Sequence, residues 1–385
     1  MTGTGGPRHD SVVYALAYQT WADGAGRGMS WSADRMAAEL CADPQVASLL
    51  VADPLRSQAS RLRQRRRPWD AGFPDDPSRT LVRPRRWRRS DSSDLRTTAR
   101  DYARLDRRLR RHGRDRGMQD PVLVTCHPVL AAVADRDEWA DVVYYGWDDW
   151  LSYPPFQPAR DLISWSYQEM AARDVHVIGV TQAIVERIGS GRGTVVPNGI
   201  AAADFEQLGE LPDWFTRLEG PVAFYAGSLE ERVDVAALTA CARDLPEWTF
   251  VLVGYLAQPD LFADIARLPN VLLLGLEPRP VILAMMSAAD VCLVPHRRTP
   301  MTIAMSPLKL FEYLGAGAPV VATDLPPMRG ISERCLLVEP GEPLAPAVVA
   351  AAALPSGTAA ELTAFRARHD WSGRYRDWRT AALGG

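Results

Sequence analysis

The chain has 385 residues, 47% apolar and 24% charged, with a formal net charge of −3. Those values exclude a disordered or strongly polyionic chain, and the length points to two domains, at most three. No apolar run reaches the length of a membrane span and the first ten residues lack a signal-peptide core. The five cysteines show no CxxC spacing, so a cytoplasmic protein with neither a zinc site nor any other bound metal is expected.

Val12 to Ala17 reads as a buried strand. It runs into a loop holding Gly24, Gly26 and Gly28, and then a helix near Ser32 to Leu40. Strand, glycine loop, helix is an order that lets backbone N–H groups approach a phosphate, and Arg27 could pair with an anion there; an ordinary turn is the plain alternative. Val46 to Val51 reads as a second strand. Two arginine runs follow, SRLRQRRRPWD and RTLVRPRRWRRSD, and then a helix over Leu95 to Arg111 with Gly113 as its stop. Its apolar residues Leu95, Tyr102, Leu105 and Leu109 share one face and arginines cover much of the rest. Surface decoration balanced by Asp101, Asp106 and Asp115, contact with an anionic membrane, and nucleic-acid binding compete as readings of this charge. Nucleic acid ranks last because no recognition motif accompanies it.

Pro121 to Cys126 reads as a strand ending at His127, which either faces a cleft or is packed and satisfied. Asp141 to Tyr145 reads as another, ending in GWDDW. Adjacent Asp148 and Asp149 do not converge on one ion without further ligands, so a carboxylate receiving an acceptor hydroxyl is preferred to a metal dyad. Val175 to Val180 is a strand, a helix runs through Ile188, and Pro197-Asn198-Gly199 marks a domain junction. From Pro221 the alternation begins again: VAFYAGSL, WTFVLVG, VLLLG, VCLVP and VVATD are apolar runs separated by helical segments. Alternation twice over predicts an α/β protein of two doubly wound parallel-sheet domains, with ligands at the carboxyl ends of the strands.

The segment MSPLKLFEYLGAGAPVVATD carries the most chemistry. Ser306 suits an N-cap, Pro307 the first helical position, and Gly315 with Gly317 the stop. A helix start carries unpaired N–H groups and partial positive charge, which suits phosphate. Lys309 sits in its first turn and Glu312 lies three residues on, so one nucleotide could reach a cation with its diphosphate and a carboxylate with its ribose. Of the 44 lysines and arginines, Lys309 alone is lysine. An ammonium meets phosphate as a compact point charge where arginine presents a fork.

The second half resembles the nucleotide-sugar domain of retaining GT-B glycosyltransferases of family 4. The carrying pieces are VTQAIVERI with VVPNGI, AGSLEERVD, FVLVG, NVLLLG, AADVCLVP and SPLKLFEYLGAGAPVVATD; SPLKLFEYLGAG looks like a subgroup acting on cell-wall and exopolysaccharide sugars. The first half is similar only in its glycine loop and in VVYYGWDDW. The resemblance implies a GT-B fold, two Rossmann-like domains facing a central cleft. Residues 1–202 would bind acceptor, residues 203–365 would bind nucleotide sugar, and a final helix over about residues 366–385 would pack back on the first domain. It implies a metal-independent retaining hexosyltransferase with no cofactor beyond its nucleotide-diphosphate sugar substrate. The acceptor would be a glycan, lipid-linked or small molecule, with peripheral contact at the inner membrane face. Lys309 and Arg232 would neutralise the donor diphosphate, with Ser306 and Gly227 beside it. Glu312 would hold the ribose, while Gly275 and Leu276 would border the base. Gly24, Gly26 and Arg27 would approach from the other domain, and Asp148 or Asp149 would face the acceptor. Two positions depart from the pattern: Ala304 stands where many members have glutamate, and Ser228 where many have arginine. They motivate an alternative, a non-catalytic partner built on the same fold.

Overall fold

The computed structural model describes residues 9–58, 68–92, 94–355 and 357–384. The chain forms two compact units, Met1–Pro197 with Tyr375–Gly385, and Asn198–Arg374.

The first unit is built on strands β1 (Ser11–Ala15), β2 (Ser48–Ala52), β3 (Arg56–Ser57), β4 (Arg79–Val82), β5 (Arg85–Arg86), β6 (Val122–Thr125), β7 (Val142–Gly146), β8 (His176–Gly179) and β9 (Gly193–Val195). Seven form one sheet in the order β4-β2-β1-β6-β7-β8-β9, every neighbour parallel. A parallel sheet is covered on both faces, which is why β1 and β7 are apolar at nearly every position and buried throughout. The order reverses direction between β1 and β6, so the crevice at their carboxyl ends is the switch point of this unit.

Two expectations fail here for identifiable reasons. The second arginine run contains the edge strand β4. Its Arg79 is buried and donates to the carbonyls of Cys41, Asp43 and Val46 at 3.0, 2.9 and 2.8 Å, so it is a clamp and not surface decoration. The helix Leu95–Arg114 passes through Gly113, where a side chain would meet only Met118 at ordinary contact distance, and the chain turns instead at Gly117 with φ 71°. In the first run, residues 60–67 lie outside the described residues. The unit is completed by Tyr375 to Leu383 of the last helix. Trp378 is fully buried, edge-on to Tyr14 and Tyr145, and Tyr375 and Arg379 bind Asp43 at 2.7 and 2.9 Å.

The second unit holds β10 (Val222–Ala226), β11 (Thr249–Val253), β12 (Val271–Leu274), β13 (Val291–Val294), β14 (Val320–Thr323) and β15 (Cys335–Val338). They form a parallel sheet in the order β12-β11-β10-β13-β14-β15, with a buried apolar cluster on each face. Here the order reverses between β10 and β13. Both units are thus doubly wound α/β domains, as the alternation predicted. Among the described residues no helix is long and apolar enough to cross a membrane.

Candidate functional site

At the switch point of the second unit, Gly227 follows β10 and β13 runs into Pro295 and His296. Short backbone bonds zip the two exits together. The N–H of Asp234 donates to Pro295 at 2.7 Å and that of Arg297 to Arg232 at 2.8 Å. The helix Leu308–Ala316 starts beside them, and Lys309 in its first turn reaches back across Gly227. A side chain on Gly227 would put its Cβ 2.1 Å from Lys309 Cε and 2.2 Å from Nζ. Gly227 also has φ +142°, and its carbonyl oxygen would lie 2.1 Å from a Cβ on Gly254, which has φ +148°. Two glycines therefore let two strand exits and one ammonium group share the same small volume.

Lys309 Nζ donates to Tyr225 Oη at 2.8 Å and lies 4.5 Å from the centre of that ring. The Tyr225 hydroxyl in turn donates to the carbonyl of Ser228 at 3.0 Å. Burial, and next the charge of Arg232, lower the Lys309 pKa from its ordinary 10.5 to about 7, against the opposing pull of Glu230 and Glu312. Arg232 is paired with Glu230 and also reaches Met305 Sδ at 3.5 Å. His296 is buried with no hydrogen-bond partner on either ring nitrogen. Burial, then Lys309 and Arg232, hold it neutral well below its usual range.

Ser306 departs from its expected role. The helix begins one residue beyond the expected start, with Pro307 at the cap and no side chain closing the end. The Ser306 hydroxyl instead accepts the N–H of Asn198 at 3.1 Å. At the far end Gly317, at φ +97°, is the cap. Gly315 lies within the helix, where a Cβ would press on Ile200 and Phe205 at 3.0 and 3.1 Å. Glu312 faces Arg279, its carboxylate accepting from the guanidinium at 2.7 Å, and Arg279 also grips Asp204 at 2.7 Å. Gly275 has open space around its Cα, and Leu276 beside it is 77% exposed. Lys309, Arg232, Glu312 and Gly227 are therefore gathered in one region. Ala304 is fully buried in a short capped helix, Pro300–Ala304. Sequence reading missed Tyr225, Glu230, Gly254, Arg279 and His296. A tyrosine two residues before the strand-end glycine and a glutamate two before the arginine were the available signals.

In the first unit the glycine segment is not an open loop. Thr20 and Asp23 form a capping box for a short helix, Trp21–Ala25, which contains Gly24, and Gly26 is its C-cap. Arg27 pairs with buried Asp34 at 2.6 Å and lies 4.1 Å over the Trp31 ring. Asp149 is buried and accepts from Arg187, from the Ser152 hydroxyl, and from the N–H of Leu151 at 3.3 Å. Its carboxylate holds the loop together. Asp148 is half-buried and accepts the N–H of Asp149 at 2.9 Å. His127 is packed: Tyr102 stacks on it and shares a 2.8 Å hydrogen bond with its Nε2. Among the described residues no group of three His, Cys, Asp or Glu side chains is placed to hold a metal ion.

Residues 220–354 match the family model for Glycosyl transferases group 1. Over 221 residues the chain is 29% identical to TuaH of Bacillus subtilis (strain 168), whose name provisionally assigns it to teichuronic acid biosynthesis as a glycosyltransferase. That match covers 52% of this chain and 54% of the relative, so the chain spans about half the length of the curated relative it matches. A glycosyltransferase from Rickettsia africae ESF-5 has the same fold, with a TM-score of 0.66 at 11% identity over 97% of this chain and 99% of that one. Anabaena Alr3699/HepE, solved with UDP and glucose, gives 0.58 at 17% identity over 97% and 95%. The matched group 1 stretch contains the whole Gly227, Arg232, Lys309 and Glu312 cluster. The fold, two doubly wound parallel-sheet domains, is that of the GT-B glycosyltransferases.

Proposed function

We propose that this chain is a glycosyltransferase. It moves a sugar from a nucleoside-diphosphate sugar to a hydroxyl of a glycan, lipid-linked or small-molecule acceptor, on the cytoplasmic side, in polysaccharide assembly. The observation that carries this reading is Lys309 lying across Gly227 at the switch point, at the start of a helix that no side chain caps. A departing nucleoside diphosphate develops negative charge on its bridging oxygen. A fixed ammonium, a nearby guanidinium and a helix start meet that charge without reorganising and without a metal ion. Transfer proceeds with retention: the acceptor oxygen bonds to the anomeric carbon from the side the diphosphate leaves, the sugar–phosphate bond breaks, and the acceptor proton passes to a phosphate oxygen of the leaving group. Arg232 reaches the diphosphate by sharing its charge between phosphate and Glu230. Glu312 takes the ribose hydroxyls while Arg279 holds it in place.

The family resemblance, the group 1 match and the likeness to a protein solved with UDP and glucose support this reading. Lys309→Ala is expected to reduce transfer about 10²-fold or more, in the range of losing one preorganised oxyanion donor, with chelator leaving the wild-type rate unchanged. Undiminished turnover in that variant would defeat the assignment. Buried Ala304, where many members place glutamate, favours a second reading, a non-catalytic partner on the same fold. That version predicts no product, with a nucleotide sugar or a second glycosyltransferase bound without turnover, and absence of all nucleotide binding would favour it. The arginines on the outer face of Leu95–Arg114, with Trp87 91% exposed nearby, suit peripheral contact with anionic lipid.

A further inference from the structure

The switch point of the first unit is also furnished. Tyr18 follows β1, His127 follows β6, and Trp147 and Trp150 follow β7, so all four stand at carboxyl ends of strands on or beside the point of reversal. Trp31, which caps the helix Ser32–Ala42, joins them. The Tyr18, Trp31 and Trp147 rings lie near-parallel and offset, with centroids 6.3 and 5.8 Å apart. Phe156 meets Tyr18 edge-on at 5.6 Å and stacks on Trp150 at 4.3 Å. Tyr18 is 40% exposed, and Trp31 and Trp147 are half-buried, so the array reaches the surface of its unit.

An apolar core would not need the polar atoms found here. The indole N–H groups of Trp147 and Trp150 and the Nδ1 of His127 are buried with no hydrogen-bond partner, and Trp150 and His127 are 6% and 9% exposed. Unpaired buried polar groups are costly and uncommon, and three in one cluster mark a place where a partner is missing. Flat aromatic faces with unpaired polar ring atoms beside them match one ligand class. A pyranose ring offers an apolar C–H face for stacking and equatorial hydroxyls for the rim.

We infer that the Tyr18–Trp31–Trp147 array is a carbohydrate platform that binds the acceptor as a pyranose ring. The inference rests on the glycosyl-transfer reading for the word acceptor, but ring binding itself does not. The platform narrows the acceptor to a molecule whose reacting end is a sugar. An enzyme that installs such a sugar must act before this one.

The test is saturation-transfer NMR on the full chain with methyl glycosides of glucose, galactose, N-acetylglucosamine and glucuronic acid. UDP binding is measured on the same samples. At least one glycoside is expected to receive saturation on its ring C–H protons. Tyr18→Ala and Trp147→Ala should each weaken it about tenfold, the scale of one lost aromatic contact, with unchanged circular dichroism. Trp147→Phe, which keeps a ring and loses the N–H, should fall between. Silence from all four glycosides, or transfer that survives both alanine variants, would overturn the proposal. Displacement of the glycosides by citronellol at lower concentration would overturn it too, by giving the platform to a prenyl chain. Silent glycosides with intact UDP binding sink the platform alone; absent UDP binding with responsive glycosides sinks the donor reading alone.

Discussion

At the scale of single residues, Lys309 decides the chemistry, and its environment gives it a pH signature. Its pKa near 7 means that in the empty protein it carries charge below pH 7 and loses it above. A bound diphosphate favours the charged form, so the complex keeps the proton to higher pH. Donor affinity is therefore full below pH 7 and weakens as pH rises from about 7 toward the higher value in the complex. Titration calorimetry across that window should show the decline, and Lys309→Arg, which stays charged, should flatten it. A wild-type affinity independent of pH would contradict the assignment. Lys309 stood out in the sequence because it is the sole lysine. Its hydrogen-bond partner did not, since Tyr225 lies far from it in the chain and only the β10/β13 reversal brings it near. Ser306 misled because a serine before proline looks like a cap whether or not its hydroxyl is taken by a distant backbone N–H.

At the scale of elements, apolar runs made the strands legible to within a residue or two at most ends, as β7 and β14 show. The failures came where charge and apolarity mix. Arg79 opens β4, yet in sequence it is one more arginine in a basic run. Its role depends on three carbonyls at the end of the helix Ser32–Ala42 and the turn after it, which only the folded backbone gathers. Arg79→Ala leaves those acceptors unpaired and should lower stability by about 2–4 kcal/mol, read as a shift in urea midpoint with an unchanged slope. A change under half a kilocalorie, roughly the level of an ordinary surface substitution, would return Arg79 to the surface class. The glycine segment fails likewise: Thr20 and Asp23, three apart, are a capping signal that outweighs the glycines behind them.

At the scale of the whole molecule, the two-domain α/β plan was readable because βα alternation occurs twice and each reversal of strand order fixes a crevice. The resemblance implied that a final helix over about residues 366–385 packs on the first domain; the boundary between the units falls within that helix, at Tyr375. Trp378 is fully buried between Tyr14 and Tyr145, so ending the chain at Arg374 opens a cavity under β1 and β7. Loss of a buried tryptophan costs about 3–5 kcal/mol, a large fraction of a domain's stability. The truncated chain should expose its first unit to limited proteolysis while Asn198–Arg374 persists as a resistant fragment. Equal resistance of both units would show that the tail contributes little.

The most direct measurement is calorimetric titration of the wild type and Lys309→Ala with UDP-, GDP- and dTDP-sugars. One nucleotide class should bind the wild type, and the variant should bind it at least about tenfold more weakly, the scale of a charge-assisted contact to phosphate. Failure of all three classes to bind, or equal affinity in the two proteins, would contradict a diphosphate cradle at Gly227 and Lys309.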